Sequence, residues 1–218
     1  MKPSRRPWFS ISIAAAVILA AVLPAAAFTY TYPLSSTDIR DAYFIGRRND
    51  ESSAAFFVKY TRHFDPPASG PYISDVGIDT PFTQIAMHAA RTANYDAPTA
   101  VQEFQDRPMK FYAHVIIELT ATYSLPQSNP ANSLYPEYPN FWEDFKIKLI
   151  QDKTIRPLST SGGFLYNNSG DGYNPVPTGA RVDLQYSPEK IDAAPITVSV
   201  DSPDGQHVEA TFDLATLR

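Results

Sequence analysis

The sequence predicts an α+β fold, an antiparallel β-sandwich with an N-terminal helical pair packed against it and short helices inserted after the first strand. Three observations carry that expectation. Phe111, Ala113, Val115, Ile117, Leu119, Ala121 and Tyr123 are apolar at every second position, the mark of a long strand with one buried face. Short alternating runs at Val182-Leu184-Tyr186, Ile196-Val198-Val200 and Val208-Ala210-Phe212-Leu214, separated by turn-rich connections, fit a sandwich. Ahead of the long strand the apolar residues fall instead on helical stripes.

Residues 1–27 read as a cleavable signal peptide. Lys2, Arg5 and Arg6 form a basic start without an acid, and an apolar run from Trp8 to Leu23 follows, broken only by Ser10 and Ser12. That run is short for a bilayer span, which wants ~20 apolar residues. Pro24 ends it, and Ala25 and Ala27 supply the small side chains of a cleavage site, so the mature chain is expected to begin at Phe28. The expected address is periplasmic or secreted, with no stable membrane anchor after cleavage. Ser4-Arg5-Arg6-Pro7-Trp8-Phe9 partly resembles a twin-arginine signal, so the export route stays open.

Residues 28–66 are expected to be an N-terminal helical segment and 67–218 the sandwich-like domain. Ser35 precedes Asp38 by three positions, a capping-box start, and Ile39, Ala42 and Tyr43 then share a face. Asn49-Asp50 breaks the run. Phe57, Tyr60 and Phe64 continue it at helical spacing, so 34–64 reads as a helical pair. A first strand is expected over 72–78, and helices over 81–92 and 96–105, the second with Asp96 as N-cap and Pro98 in its first turn.

After the long strand, 124–140 holds Pro126, Pro130, Pro136 and Pro139 and reads as an irregular loop. Phe145, Ile147 and Leu149 alternate with lysines as a further strand, and 159–179 reads as a second turn-rich loop. Ser202-Pro203-Asp204-Gly205 suits the turn of an antiparallel hairpin between the last two strands.

Composition excludes several functions. With no cysteine there is no disulfide, no thiolate nucleophile, no Cys-ligated metal and no lipid attached through a cysteine. Of 18 basic residues three leave with the signal, and against 23 acids the mature chain carries −8. Nucleic acid and anionic lipid surfaces are held mainly by clustered Lys and Arg, so neither is an expected partner.

Four stretches, Pro33 to Phe44, Gly70-Pro71-Tyr72-Ile73-Ser74, Phe141-Trp142-Glu143-Asp144-Phe145 and the ending Phe212 to Arg218, together resemble a family of uncharacterised signal-peptide-bearing exported proteins of soil bacteria. The resemblance runs along nearly the whole mature chain. It implies no activity, substrate or catalytic residue.

Chemistry has few candidates. His63, His88, His114 and His207 are scattered, without the spacing of a metal site, so no metal is expected. His114 and Glu118 share the polar face of the long strand, but strand rise sets them ~13 Å apart, and they act on one atom only if another strand supplies a partner. Ser187-Pro188-Glu189-Lys190 matches S-x-x-K in letters alone, with no K-T-G after it. No phosphate-binding glycine loop is present, and no cofactor is expected. Asn167 to Gly172 has the oxygen-rich look of a calcium loop, but its twelfth position is Thr178 where a bidentate Glu belongs.

The candidate binding residues are Tyr135, Tyr138, Phe141, Trp142 and Glu143, because aromatics beside a carboxylate, presented by a proline-stiffened loop, suit a protein or glycan partner. The expected function is that of an exported non-catalytic binding protein. The alternative is a carbohydrate-acting hydrolase of the cell envelope using Glu137, Glu143 or Asp144, which would need two facing carboxylates.

Overall fold

The computed structural model describes residues 29–107, 109–123, 140–167 and 176–218. Within them the chain is α+β, with four helices and two antiparallel sheets packed together as a β-sandwich. Along the chain come α1 (Ser36–Arg48), α2 (Glu51–Val58), β1 (Thr61–His63), β2 (Pro71–Asp79), α3 (Pro81–Arg91), α4 (Ala97–Asp106) and β3 (Phe111–Leu119). β4 (Lys146–Ile150), β5 (Thr154–Ile155), β6 (Ser159–Asn167), β7 (Val176–Tyr186), β8 (Pro195–Asp201) and β9 (His207–Asp213) follow. One sheet has the order β1-β2-β3-β7-β6 and the other β5-β4-β8-β9.

Local chemistry sets the helix starts. Ser35 Oγ accepts from the Asp38 amide at 3.1 Å while the Asp38 carboxylate accepts from the Ser35 amide at 3.1 Å, the reciprocal capping box. Asp50 and Asp96 cap α2 and α4 by accepting from Ser53 N at 2.9 Å and Thr99 N at 2.8 Å. Both carboxyls are thereby held below the usual range, Asp50 first by the Ser52 hydroxyl and Asp96 first by the Thr99 side chain.

Two cores result. Alternate residues of β2, β3 and β7, among them Val76, Ile78, Val115, Ile117, Val182 and Leu184, meet Leu149, Ile196, Val198, Val200 and Phe212 of the other sheet. Helices α1, α3 and α4 enclose the second around Ile39, Ala42, Phe82, Ile85, Ala86, Ala89 and Phe104. Gly46 allows α1 to lie against α3, since a Cβ there would overlap the Ala86 carbonyl. Tyr32 and Phe56 touch both cores and join them. Among the described residues no helix is long and apolar enough to cross a membrane.

Four local expectations are corrected. The helical reading of 34–64 stops at Val58, because Thr61–His63 pairs with Asp75–Gly77 and Tyr60 turns into the sandwich core. The first strand of the sheet therefore lies inside the stretch assigned to the helical segment. The long strand ends at Leu119, where Thr120 accepts from the Tyr123 amide at 2.9 Å and turns the chain. The two-residue β5 went unread in the sequence, and the supposed loop 159–179 contains all of β6 and the start of β7. β6 is an edge strand with mostly exposed side chains, so it lacks the apolar alternation by which strands are recognised.

Candidate functional site

Phe141, Trp142 and Glu143 stand on one 3-10 turn, Phe141–Asp144, that leads directly into β4. Tyr135, Tyr138 and Glu137 lie outside the described residues, as does most of the oxygen-rich stretch after Asn167. Phe141 and Trp142 are only 8% and 9% exposed, whereas Glu143 and Asp144 face solvent. The two rings are thus interior residues and not a patch displayed on a loop. Trp142 meets Phe164 of β6 edge-on at 5.0 Å between centroids and Phe141 at 5.7 Å, arrangements aromatic quadrupoles favour.

Trp142 nevertheless borders open space. A cleft of about 400 Å³ lies between β4 and the β6–β7 edge of the opposite sheet. Val182, Leu184, Phe145 and Ile147 give it an apolar lining, and Trp142 closes one wall; Glu143, Thr160 and Ser161 contribute polar groups. The indole reaches the backbone of β6 because position 162 is glycine; a Cβ there would overlap Nε1. Among the described lining residues Glu143 is the one carboxylate.

The outer face of the five-stranded sheet is polar by the same period of two. His114 stands opposite Gly77 on one side and Asp183 on the other, and Glu118 opposite Tyr72. His114 Nδ1 comes within 3.4 Å of Asp79 Oδ2, yet makes no hydrogen bond. Glu118 accepts from the Tyr72 hydroxyl at 2.8 Å, which raises the tyrosine's pKa. His114 and Glu118 are therefore drawn to different partners on β2. The neighbouring strand that the sequence reading required does exist, and it supplies Asp79.

Each of the other histidines has a side-chain neighbour elsewhere in the fold. His63 pairs with Asp75, the His88 ring packs on Tyr95, and His207 Nδ1 lies 2.7 Å from Asp201. Among the described residues no three His, Asp or Glu side chains converge as a metal site. Ser187 precedes a short 3-10 turn, Pro188–Lys190, whose Pro188 carbonyl accepts from the buried Tyr30 hydroxyl at 3.0 Å.

Among the described residues the carboxyls with displaced titration, Asp50, Asp96, Asp201 and Asp204, are all displaced downward by hydrogen bonds, and none lines the cleft beside Trp142. No family model, curated protein or solved structure matches the chain.

Sequence reasoning missed Thr160, Ser161 and Gly162, which sit in the stretch read as a loop, and Asp79 and Arg181, whose neighbours are set by strand register. The available signal was the polar set Tyr112, His114 and Glu118 on the non-core side of the long strand.

Proposed function

We propose that the protein is an exported, non-catalytic binding protein that takes one or two rings of a glycan into the Trp142 cleft. The observation that carries this reading is the indole of Trp142 set against bare backbone at Gly162, beside the polar groups of Glu143, Thr160 and Ser161. The part of the indole that borders the cleft, with Val182 and Leu184, offers apolar surface to a sugar ring, and the carboxylate and hydroxyls offer partners to its hydroxyls. A cleft of about 400 Å³ suits a small ligand better than a protein surface. Hydrolysis through this cleft would need a second carboxylate ~5–9.5 Å from the first, and the described lining supplies only Glu143; binding is therefore preferred to hydrolysis.

Cleavage after Ala27 removes Trp8 and leaves Trp142 as the sole tryptophan, so its fluorescence reports on this cleft alone. Titrating the protein recovered from the periplasm with cell-envelope oligosaccharides should change that emission saturably. Glu143→Gln should weaken binding roughly ten- to a hundredfold, one hydrogen bond to a charged group being worth ~1.5–3 kcal/mol. Emission indifferent to every oligosaccharide would defeat the glycan reading. N-terminal sequencing of the same material should begin at Phe28; recovery of intact Met1-bearing protein only from membranes would defeat the export reading.

A further inference from the structure

A second cleft, of about 460 Å³, lies between the helices and the outer face of the five-stranded sheet. It stands apart from the Trp142 cleft because successive residues of β7 point to opposite faces: Val182 and Leu184 line the first, Arg181 the second. Three neighbouring strands supply its polar groups, Asp79 from β2, His114 from β3 and Arg181 from β7. Phe57 of α2 and Met87 of α3, each half-buried, leave apolar surface in its wall, and Arg91 closes α3 beside them.

Its charge differs from that of the molecule. The whole chain carries −5, yet here two guanidiniums, Arg91 and Arg181, balance the carboxylates of Asp79 and of Asp183, which pairs with Arg181. Arg91 is exposed and has no ion-pair partner among the described residues. Arg181 donates from Nε to Asp183 at 2.9 Å and approaches it with Nη2 at 2.8 Å, so its guanidinium is held in place before any ligand arrives. Such pre-ordering lowers the entropy lost on binding.

His114 is placed by its neighbours on β2. Its ring lies over Gly77, where a Cβ would overlap Nε2, so the strand is bare under the imidazole. Its Nδ1 is buried and turned to Asp79 Oδ2 at 3.4 Å. The ring thereby forms part of the floor of the cleft.

We propose that this cleft binds a small monocarboxylate with a short apolar body. A single negative charge matches Arg91, the cation of the wall without an ion-pair partner among the described residues, whereas the second charge of a phosphate dianion would meet the carboxylates of Asp79 and Asp183. The apolar wall of Phe57 and Met87 calls for a body as well as a charge.

The test uses the exported protein, with benzoate, benzamide and inorganic phosphate as probes and the His114 ring resonances as readout. Benzoate should shift them saturably, with a Kd in the millimolar range or tighter. Benzamide, equal in shape and uncharged, should not. Arg91→Gln, at an exposed position, should leave the melting temperature unchanged and weaken benzoate roughly tenfold, and Arg181→Lys should do the same if it folds. No saturable shift, benzamide or phosphate matching benzoate, or Arg91→Gln binding like the parent would each overturn the proposal. The Trp142 emission serves as control and should not respond to benzoate.

Discussion

Gly162 and Gly77 play the same part on opposite faces of one sheet, each a bare piece of strand beneath a ring. Gly77→Ala forces the His114 imidazole out of its place, and overpacking of this kind costs ~1–3 kcal/mol. The same substitution in a His114→Ala background should cost much less, because the clash is gone; an equal loss in both backgrounds by urea denaturation would mean that the ring does not rest on Gly77. Trp142→Ala opens a void between Phe141, Phe164 and the cleft, and should cost ~3–5 kcal/mol in the same measurement. A loss below ~1 kcal/mol would contradict the interior placement of the indole. Trp142 and Glu143 were legible as candidates because aromatics beside a carboxylate are visible in any sequence. The burial of Trp142 was not, since the residues that cover it belong to Ser159-Thr160-Ser161-Gly162-Gly163-Phe164, which carries no apolar period.

At the scale of elements, the β8–β9 hairpin carries a pH-dependent pair. His207 and Asp201 face each other across the ladder 2.7 Å apart, with Glu209 at 3.5 Å from the far side of the ring and Lys148 at 3.8 Å from Asp201. The hydrogen bond to Asp201 raises the His207 pKa above its ordinary 6.5, and the same bond holds the Asp201 carboxyl below its ordinary 3.8. Folding therefore favours the protonated imidazole. Its contribution is complete below pH 6.5 and fades as pH rises through the raised folded value. The carboxylate's share is complete above pH 3.8 and fades as pH falls through the lowered one. His207→Ala should thus lower the melting temperature slightly near about pH 5 and not at all near about pH 9; an equal deficit at both would remove the pair from the account. Elements with strong local chemistry, the capped α1 and α4 and the alternating β3, β8 and β9, were readable in advance. The edge strand β6 and the short β1 and β5 owe their structure to a neighbour's ladder, which one-dimensional patterning does not carry.

At the scale of the whole molecule, the two cores are fastened by the last residues of β9's extension, Leu217 and Arg218. Leu217 is buried in the sandwich, while the Arg218 carbonyl accepts from the Tyr60 hydroxyl at 3.0 Å and from Thr80 Oγ1 at 2.6 Å. The Arg218 amide donates back to Tyr60 at 3.0 Å, and its guanidinium pairs with Asp41 of α1 at 2.7 Å and lies over the Phe82 ring of α3. Deleting both residues removes a buried leucine, worth ~1.5–3 kcal/mol. It also leaves the buried Tyr60 hydroxyl and the Thr80 proton without acceptors, at ~1–3 kcal/mol for each unsatisfied group. A domain of this size loses ~2–4 °C of melting temperature per kcal/mol, so the deletion should lower it by ~10 °C or more. Arg218→Ala keeps the main-chain bonds and loses the half-exposed pair with Asp41 and the contact with Phe82, so it should cost less than the deletion, ~1–2 kcal/mol. Hydrogen exchange should then separate the two variants by place as well as size, the deletion loosening α1 and α3 while β3 and β7 stay protected. If the deletion melted like the intact chain, the fastening assigned to Leu217 and Arg218 would be wrong.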